Sequence, residues 1–264
     1  MLILAFDTAT PAVTVALRDG SGTVAHESSV DSRRHGELLT PSVERVLDKA
    51  GAVPADLTSI AVGTGPGPYT GLRVGLVTAQ VLGTALGIRV DGICTLDVIA
   101  AEARHYAAGR EFIVATDARR REVYWARYSA DGRRLSGPEV GVPAVLPADY
   151  PIAGEGPRLH AELAASGEMF GPRYPSAGQL AELAASAIAA GRPPSPASPL
   201  YLRRPDAREP GRPKRVTPSA SRSGLPEASG ETQRASRSGL PEASGETRRA
   251  SRSGLPEASG ETRR

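Results

Sequence analysis

The stretch Leu2–Gly20 reads LILAFDTATPAVTVALRDG, and a fainter echo, EFIVATDARRREVYWARYSADG, occupies Glu111–Gly132. Aligning Asp7 with Asp117 places a short apolar or β-branched run before each aspartate. Six residues after each, a valine (Val13, Val123) begins a second run, which closes on Asp19-Gly20 or Asp131-Gly132. Runs of strand formers broken by turn residues read as strand–turn–strand hairpins. One hairpin in each half predicts a duplicated α/β protein with its boundary near Gly109. The expected units are an N-terminal subdomain over 1–109 and a C-terminal subdomain over 110–204.

Between the hairpins the period changes. Leu38, Leu39, Val43, Val46, Leu47 and Ala50 follow helical spacing over residues 33–50, an apolar stripe. Pro41 interrupts it, so the helix kinks there or starts there with Thr40 as its N-cap. Residues 59–63, SIAVG, read as a buried strand. Thr70 is placed to cap a helix running to Leu86, residues 95–107 read as another helix, and Ala181–Ala190 as a last one. Hairpin, helix, strand, helix is an α/β order.

The remaining composition bounds the chain. It has 264 residues, 40% of them hydrophobic, and one cysteine, Cys94. No internal disulfide can form, which fits a reducing compartment. The start, MLILAFDTAT, has no basic leader region, and Asp7 cuts its apolar run short, so it does not read as a signal peptide. No stretch of about 20 apolar residues free of charge exists to span a membrane. A cytoplasmic protein with no membrane association is expected.

The net charge is +3, but its location matters. Residues 203–215 and 219–264 hold 14 of the 32 basic and 8 of the 29 acidic side chains, leaving residues 1–202 at −3. Any basic contribution to RNA binding would come from the end of the chain. That end holds ASRSGLPEASGETQR from Ala220 and two copies of ASRSGLPEASGETRR from Ala235 and Ala250. Each unit has one leucine and no other large apolar residue, so stacking would bury little. Residues 205–264 are predicted to be a disordered Pro/Arg-rich tail with three 15-residue repeats.

Three motifs carry candidate chemistry. Asp7-Thr8-Ala9-Thr10 ends the first strand in a hydroxyl-rich turn, which can approach a phosphate with backbone N–H groups; the alternative is that Asp7 caps the turn with its own side chain. The paired hairpin at Asp117 points to the fold of actin-like and sugar-kinase-like ATPases. Its turn, ARRRE, lacks glycine or hydroxyl groups to cradle a phosphate. Gly65-Pro66-Gly67-Pro68 then leads into a helix, the arrangement that attracts anions. Leu72 and Arg73 stand after Gly71 where a Walker loop needs Lys and then Ser or Thr, and Pro66 and Pro68 remove two N–H donors. Gly71, Gly75, Ala79 and Gly83 recur every four residues, a strip that lets another backbone come close. That backbone is either the protein's own sheet or a partner's helix. Of His26, His35, His105 and His160, none has a second ligand at helical metal-pair spacing, and no metal site is expected.

ILAFDTAT at the start, RRHGELLTPSVERVL at 33–47, GPGPYTGLRVGL at 65–76, ATDARRREVYWARY and the late YLRR together resemble the TsaB family, also called YeaZ. The resemblance covers roughly residues 1–204; the family's usual GPGSFTGLRIG differs here mainly at Pro68 and Tyr69. It implies a duplicated actin-like fold (the ASKHA, RNase H-like group) and a role in making threonylcarbamoyladenosine in tRNA. The role implied is a non-catalytic subunit that binds a TsaD-like catalytic subunit, with a TsaE-like ATPase docking on the pair and tRNA met indirectly. The related TsaD keeps an H-x-x-x-H metal pair; here the two positions hold His35 and Leu39, so no metal is implied. Asp7, Thr8, Thr10, Gly65 and Gly67 become a degenerate nucleotide site. No cofactor is expected, residual ATP or ADP at most being bound without hydrolysis.

The partner-facing residues so implied are His35, Leu38, Leu39, Val43, Val46 and Leu47 on the first helix. On the second they are Leu72, Gly75, Leu76, Ala79 and Gly83. Without a partner the same faces would serve a homodimer. The alternatives are an ATP-dependent small-molecule kinase, whose weak adenosine-loop candidate is Ala153-Gly-Glu-Gly156, and a metallopeptidase, against which the histidine spacing argues.

Overall fold

The computed structural model describes residues 1–203. The expectations for the tail over 205–264, and for most of the basic run after Arg203, lie outside the described residues.

Both hairpins form and both gain a third strand. β1 (Ile3–Asp7), β2 (Ala12–Arg18) and β3 (Thr23–Val30) make an antiparallel meander, as do β6 (Phe112–Asp117), β7 (Val123–Tyr128) and β8 (Arg134–Gly141). Each first strand is flanked on its other side by a parallel strand, β1 by β4 (Ser59–Gly63) and β6 by the two-residue β9 (Ile152–Ala153). β5 (Arg89–Ile93) extends the first sheet, giving the orders β3-β2-β1-β4-β5 and β8-β7-β6-β9. This is the duplicated actin-like α/β fold.

β1 is apolar from Ile3 to Phe6 because helices cover both its faces. Successive side chains point to opposite sides of a strand. Leu4 and Phe6 pack with Leu39, Val46, Leu72 and Leu76 of α1 (His35–Ala50) and α2 (Tyr69–Leu86). Ile3 and Ala5 meet Leu180, Ala181 and Ala184 of α6 (Ala177–Ala189). In the second sheet Phe112 and Val114 pack on Leu96, Ile99 and Ala103 of α3 (Thr95–Ala103), while Ile113 and Ala115 meet Trp125 and Leu163. The halves therefore exchange helices. α3 comes from the first half and covers the second sheet; α6 follows the second sheet and returns to the first.

Several boundaries differ from expectation. α1 starts at His35 and runs through Pro41, its exposed seventh residue, so it does not begin at Pro41 and Arg34, not Thr40, is the N-cap residue. α2 starts at Tyr69 behind Pro68, so Thr70 lies inside the first turn rather than capping it. α6 begins four residues early, where Ser176 Oγ accepts the N–H of Gln179. α1 and α2 both end on glycines in the left-handed region, Gly51 at φ 64° and Gly87 at φ 66°, the conformation that costs glycine least. The remaining helices, α4 (Gly156–Leu159) and α5 (Ala161–Ser166), are short. No helix among the described residues is long and apolar enough to cross a membrane.

After α6 an extended strap runs back along the first half. Ser195 O accepts from Gly92 N–H and Leu200 N–H donates to Thr64 O. Tyr201 stacks on Tyr69 of α2, and Arg203 reaches Ala118 O and Glu122 in the turn after β6.

Candidate functional site

The hydroxyl-rich turn after β1 is occupied by the protein itself. Asp7 is fully buried. Its Oδ1 accepts the Ala9 N–H at 2.8 Å and its Oδ2 accepts the Thr95 hydroxyl at 2.7 Å. Burial pushes the carboxyl above its ordinary pKa, against the pull of those two donors. A Cβ on Gly63 would collide with this carboxylate. Thr95 Oγ1 also accepts the Gly65 N–H at 3.1 Å, taking one donor a phosphate loop would need.

Thr8 holds down α2. Its hydroxyl donates to Gly71 O at 2.7 Å and accepts from Gly75 N–H at 3.1 Å. Those two backbone groups stand in the i, i+4 relation that otherwise joins them directly in a helix, so Thr8 bridges them. A Cβ on Gly71 would meet Thr8 O at 2.6 Å, and one on Gly75 would meet Thr8 Oγ1 at 2.5 Å. A Cβ on Gly67 would collide with the Ala9 carbonyl. Thr10 O meets His35 Nε2 at 2.8 Å, which ties the turn to the start of α1. All five residues read as a nucleotide site are thus hydrogen-bonded to, or packed on, neighbouring elements.

The residues read as partner-facing need a correction. Leu39, Val46, Leu47, Leu72, Leu76 and Ala79 belong to the chain's own core, and Leu38 and Val43 pack half-buried against it. Gly83 makes room for Val90. The small-residue strip serves close approach of α2 to the turn after β1 and to β5, so it packs on the protein's own sheet region, the first of the two readings given for it. The opposite side of α2 carries Tyr69, Arg73, Val77 and Val81, of which Tyr69, Val77 and Val81 are 50%, 55% and 60% exposed. Arg73 lies 3.8 Å above the Tyr69 ring and donates to Tyr201 Oη at 2.9 Å. Sequence reasoning passed over this stripe because the small residues drew attention to the other face; the spacing of four from Tyr69 was its signal.

Beside the first turn lies a cleft. A cavity of about 200 Å³ is lined by Thr8, Thr10, Ser32, Arg33, His35, Thr70 and Arg119 among others. A neighbouring one of about 480 Å³ shares Pro11, Ser32, Arg33 and Arg119 with it and continues to Glu155, Arg173 and Tyr174. Glu155 belongs to the Ala153–Gly156 segment noted in the sequence; Arg33, Arg173 and Tyr174 were not singled out. Glu155 holds the Tyr174 hydroxyl at 2.6 Å, and burial with that bond pushes the phenol up to about 12.

The family model described as "TsaD: tRNA N6-adenosine threonylcarbamoyltransferase" matches residues 24–191. An uncharacterized protein of Mycobacterium tuberculosis is 44% identical over 208 residues, covering 78% of this chain and 93% of that one. The tRNA threonylcarbamoyladenosine biosynthesis protein TsaB of Escherichia coli is 38% identical over 131 residues, half of this chain and 56% of that one. A crystal structure from Pseudomonas aeruginosa, described as similar to peptidase YEAZ, has a TM-score of 0.68 at 31% identity, covering 76% of this chain and 99% of that one.

Proposed function

Because the chain belongs to the TsaB/YeaZ family, we propose that it takes part in making threonylcarbamoyladenosine in tRNA, as a non-catalytic subunit. In this reading it binds and activates a TsaD-like catalytic subunit in the cytoplasm. A TsaE-like ATPase docks on the pair, and tRNA is met through the partner. The observation that carries the reading is the contrast within α2. Its inner face and the loop before it are locked to Asp7 and Thr8, so the groups that would handle a phosphate hold the scaffold together. Its outer face leaves Tyr69, Val77 and Val81 in solvent beside a stacked arginine. Aromatic and arginine anchors are what interface centres favour. The same stripe serves a homodimer when the partner is absent.

The test has two parts. Depleting the protein from its host should remove threonylcarbamoyladenosine from bulk tRNA, read by mass spectrometry of digested nucleosides, and residues 1–218 should restore it. Val77→Arg should leave the melting temperature unchanged and weaken binding to the TsaD-like subunit by about tenfold or more, the scale set by burying a charge in an interface. Unchanged modification after depletion would overturn the reading. Unchanged affinity of Val77→Arg would move the interface off this stripe.

A further inference from the structure

The outer face of α2 carries more than exposed apolar area, and its chemistry narrows what can cover it. Resting on the partner role given above, we propose that this face takes an apolar helix face of the TsaD-like subunit that bears one aspartate or glutamate. Arg73 receives that carboxylate end-on, and Tyr201 of the strap is the residue that positions Arg73.

The first observation is the charge. α2 reads YTGLRVGLVTAQVLGTAL, in which Arg73 is the one charged side chain and no acid occurs. Arg73 is exposed, yet it is held from two sides. Its guanidinium lies 3.8 Å above the Tyr69 ring, and its Nε–H donates to Tyr201 Oη at 2.9 Å. Nη1 and Nη2 have no hydrogen bond or ion pair among the described residues. With Nε spent and the plane laid on a ring, the free end of the guanidinium presents two parallel N–H groups, the fork that matches a carboxylate.

The second observation is how firmly that fork is aimed. Tyr201 stacks on Tyr69 with ring centroids 5.6 Å apart and 20° between the planes. The strap is pinned on either side of Tyr201: Leu200 N–H donates to Thr64 O, and Arg203 donates to Ala118 O. Gln80, on α2 itself, donates to Ala197 O at 2.8 Å. The arginine therefore gives up little freedom when it is bound, which favours affinity.

The neighbours decide where the carboxylate comes from. Val77 and Val81 stand one and two turns beyond Arg73 and are 55% and 60% exposed. A ridge of side chains at this spacing fits the groove of another helix. A small free acid would leave both valines in water. A second copy of α2 would cover the valines but has no acid to offer, so both arginines would stay unpaired.

Isothermal titration of the full chain into the TsaD-like subunit tests this. Arg73→Gln should keep the melting temperature and weaken binding about tenfold or more, because it strands a carboxylate in the interface. Arg73→Lys keeps the charge and loses the fork, so it should recover only part of that loss. Tyr201→Phe keeps the stack and removes the oxygen that holds Nε. It should weaken binding about threefold in the otherwise unchanged chain and have no effect on top of Arg73→Gln, the non-additivity expected of a residue that acts through another. Added salt should weaken the unchanged chain more than Arg73→Gln. Full affinity of Arg73→Gln while Val77→Arg binds weakly would overturn the proposal and leave the partner role standing; full affinity of both would remove this face from the interface and the proposal with it. Equal salt dependence with and without Arg73 would replace the carboxylate by an uncharged contact and overturn it too. So would an Arg73→Gln effect confined to self-association of the chain, read by sedimentation, which would make a second copy the occupant.

Discussion

The turns that follow β1 and β6 start alike and end differently. In each, the aspartate closing the strand accepts the N–H two residues on: Ala9 to Asp7 at 2.8 Å, and Arg119 to Asp117 at 2.9 Å. From there the first turn continues through buried threonines and is covered by α2, 18 residues long, whose glycine face lies on Thr8. In the second half the corresponding helix after β9 is α4, of four residues. The second turn stays open. Arg119, Arg120 and Arg121 run through it with φ of 62°, 55° and 62°, a left-handed conformation rarely held by three side-chain-bearing residues in succession. One hairpin design thus gives a structural lock where a helix covers it and a cationic rim where none does.

Gly75→Leu attacks the lock most directly, because its side chain must occupy the space of the Thr8 hydroxyl. The expected loss is about 3 kcal/mol or more, which for a domain of this size lowers the melting temperature by roughly 6–12 °C. Calorimetry showing under about 1 kcal/mol would mean that α2 does not rest on Thr8. Thr8→Val keeps the shape and removes the bridge between Gly71 O and Gly75 N–H, with an expected loss of about 1–3 kcal/mol in a denaturant titration.

Arg121→Gly sharpens the comparison from the other side. Its φ of 62° suits glycine, so the variant should gain about 1 kcal/mol, whereas no such gain is available in the first turn. Destabilisation on chemical unfolding would mean that the second turn is held by its arginine side chains. The smallest effect concerns pH. Asp7 has a folded pKa above its ordinary value of 3.8, so between the two the folded chain holds the extra proton. That contribution to stability is full at and below the lower value and lost as pH rises through the upper one. Asp7→Asn, which has no proton to lose, should remove this decline. Melting curves of the two proteins that keep a constant separation from pH 4 upward would contradict a raised pKa.

The parts visible in the sequence were those with strong local periodicity. β1, β4 and β6 are runs of apolar residues because both faces are covered, and α1 shows its stripe because only one face is. β3 and β8 escaped because each is an outer strand with mixed polar sequence, TVAHESSV and RLSGPEVG, exposed along much of its length. β9 has two residues and carries no pattern. The cleft escaped for another reason. Arg33, Arg119 and Glu155 are brought together from three separate loops, and chain spacing holds no trace of that. Ala153–Gly156 offered the single hint, read as a weak adenosine loop rather than as the bearer of a buried carboxylate.

Local pattern alone sufficed for the doubled hairpin and the helices of the first half, since strand and helix periods are written in consecutive residues. The assignment of faces waited for the packed chain. A strip of Gly71, Gly75, Ala79 and Gly83 permits close approach on any neighbour. Only the position of Thr8 and Val90 made that neighbour the protein itself and turned Tyr69, Val77 and Val81 outward. The exchange of α3 and α6 between the sheets was equally beyond local reading, because an apolar helix face records that it must be covered and not by which sheet.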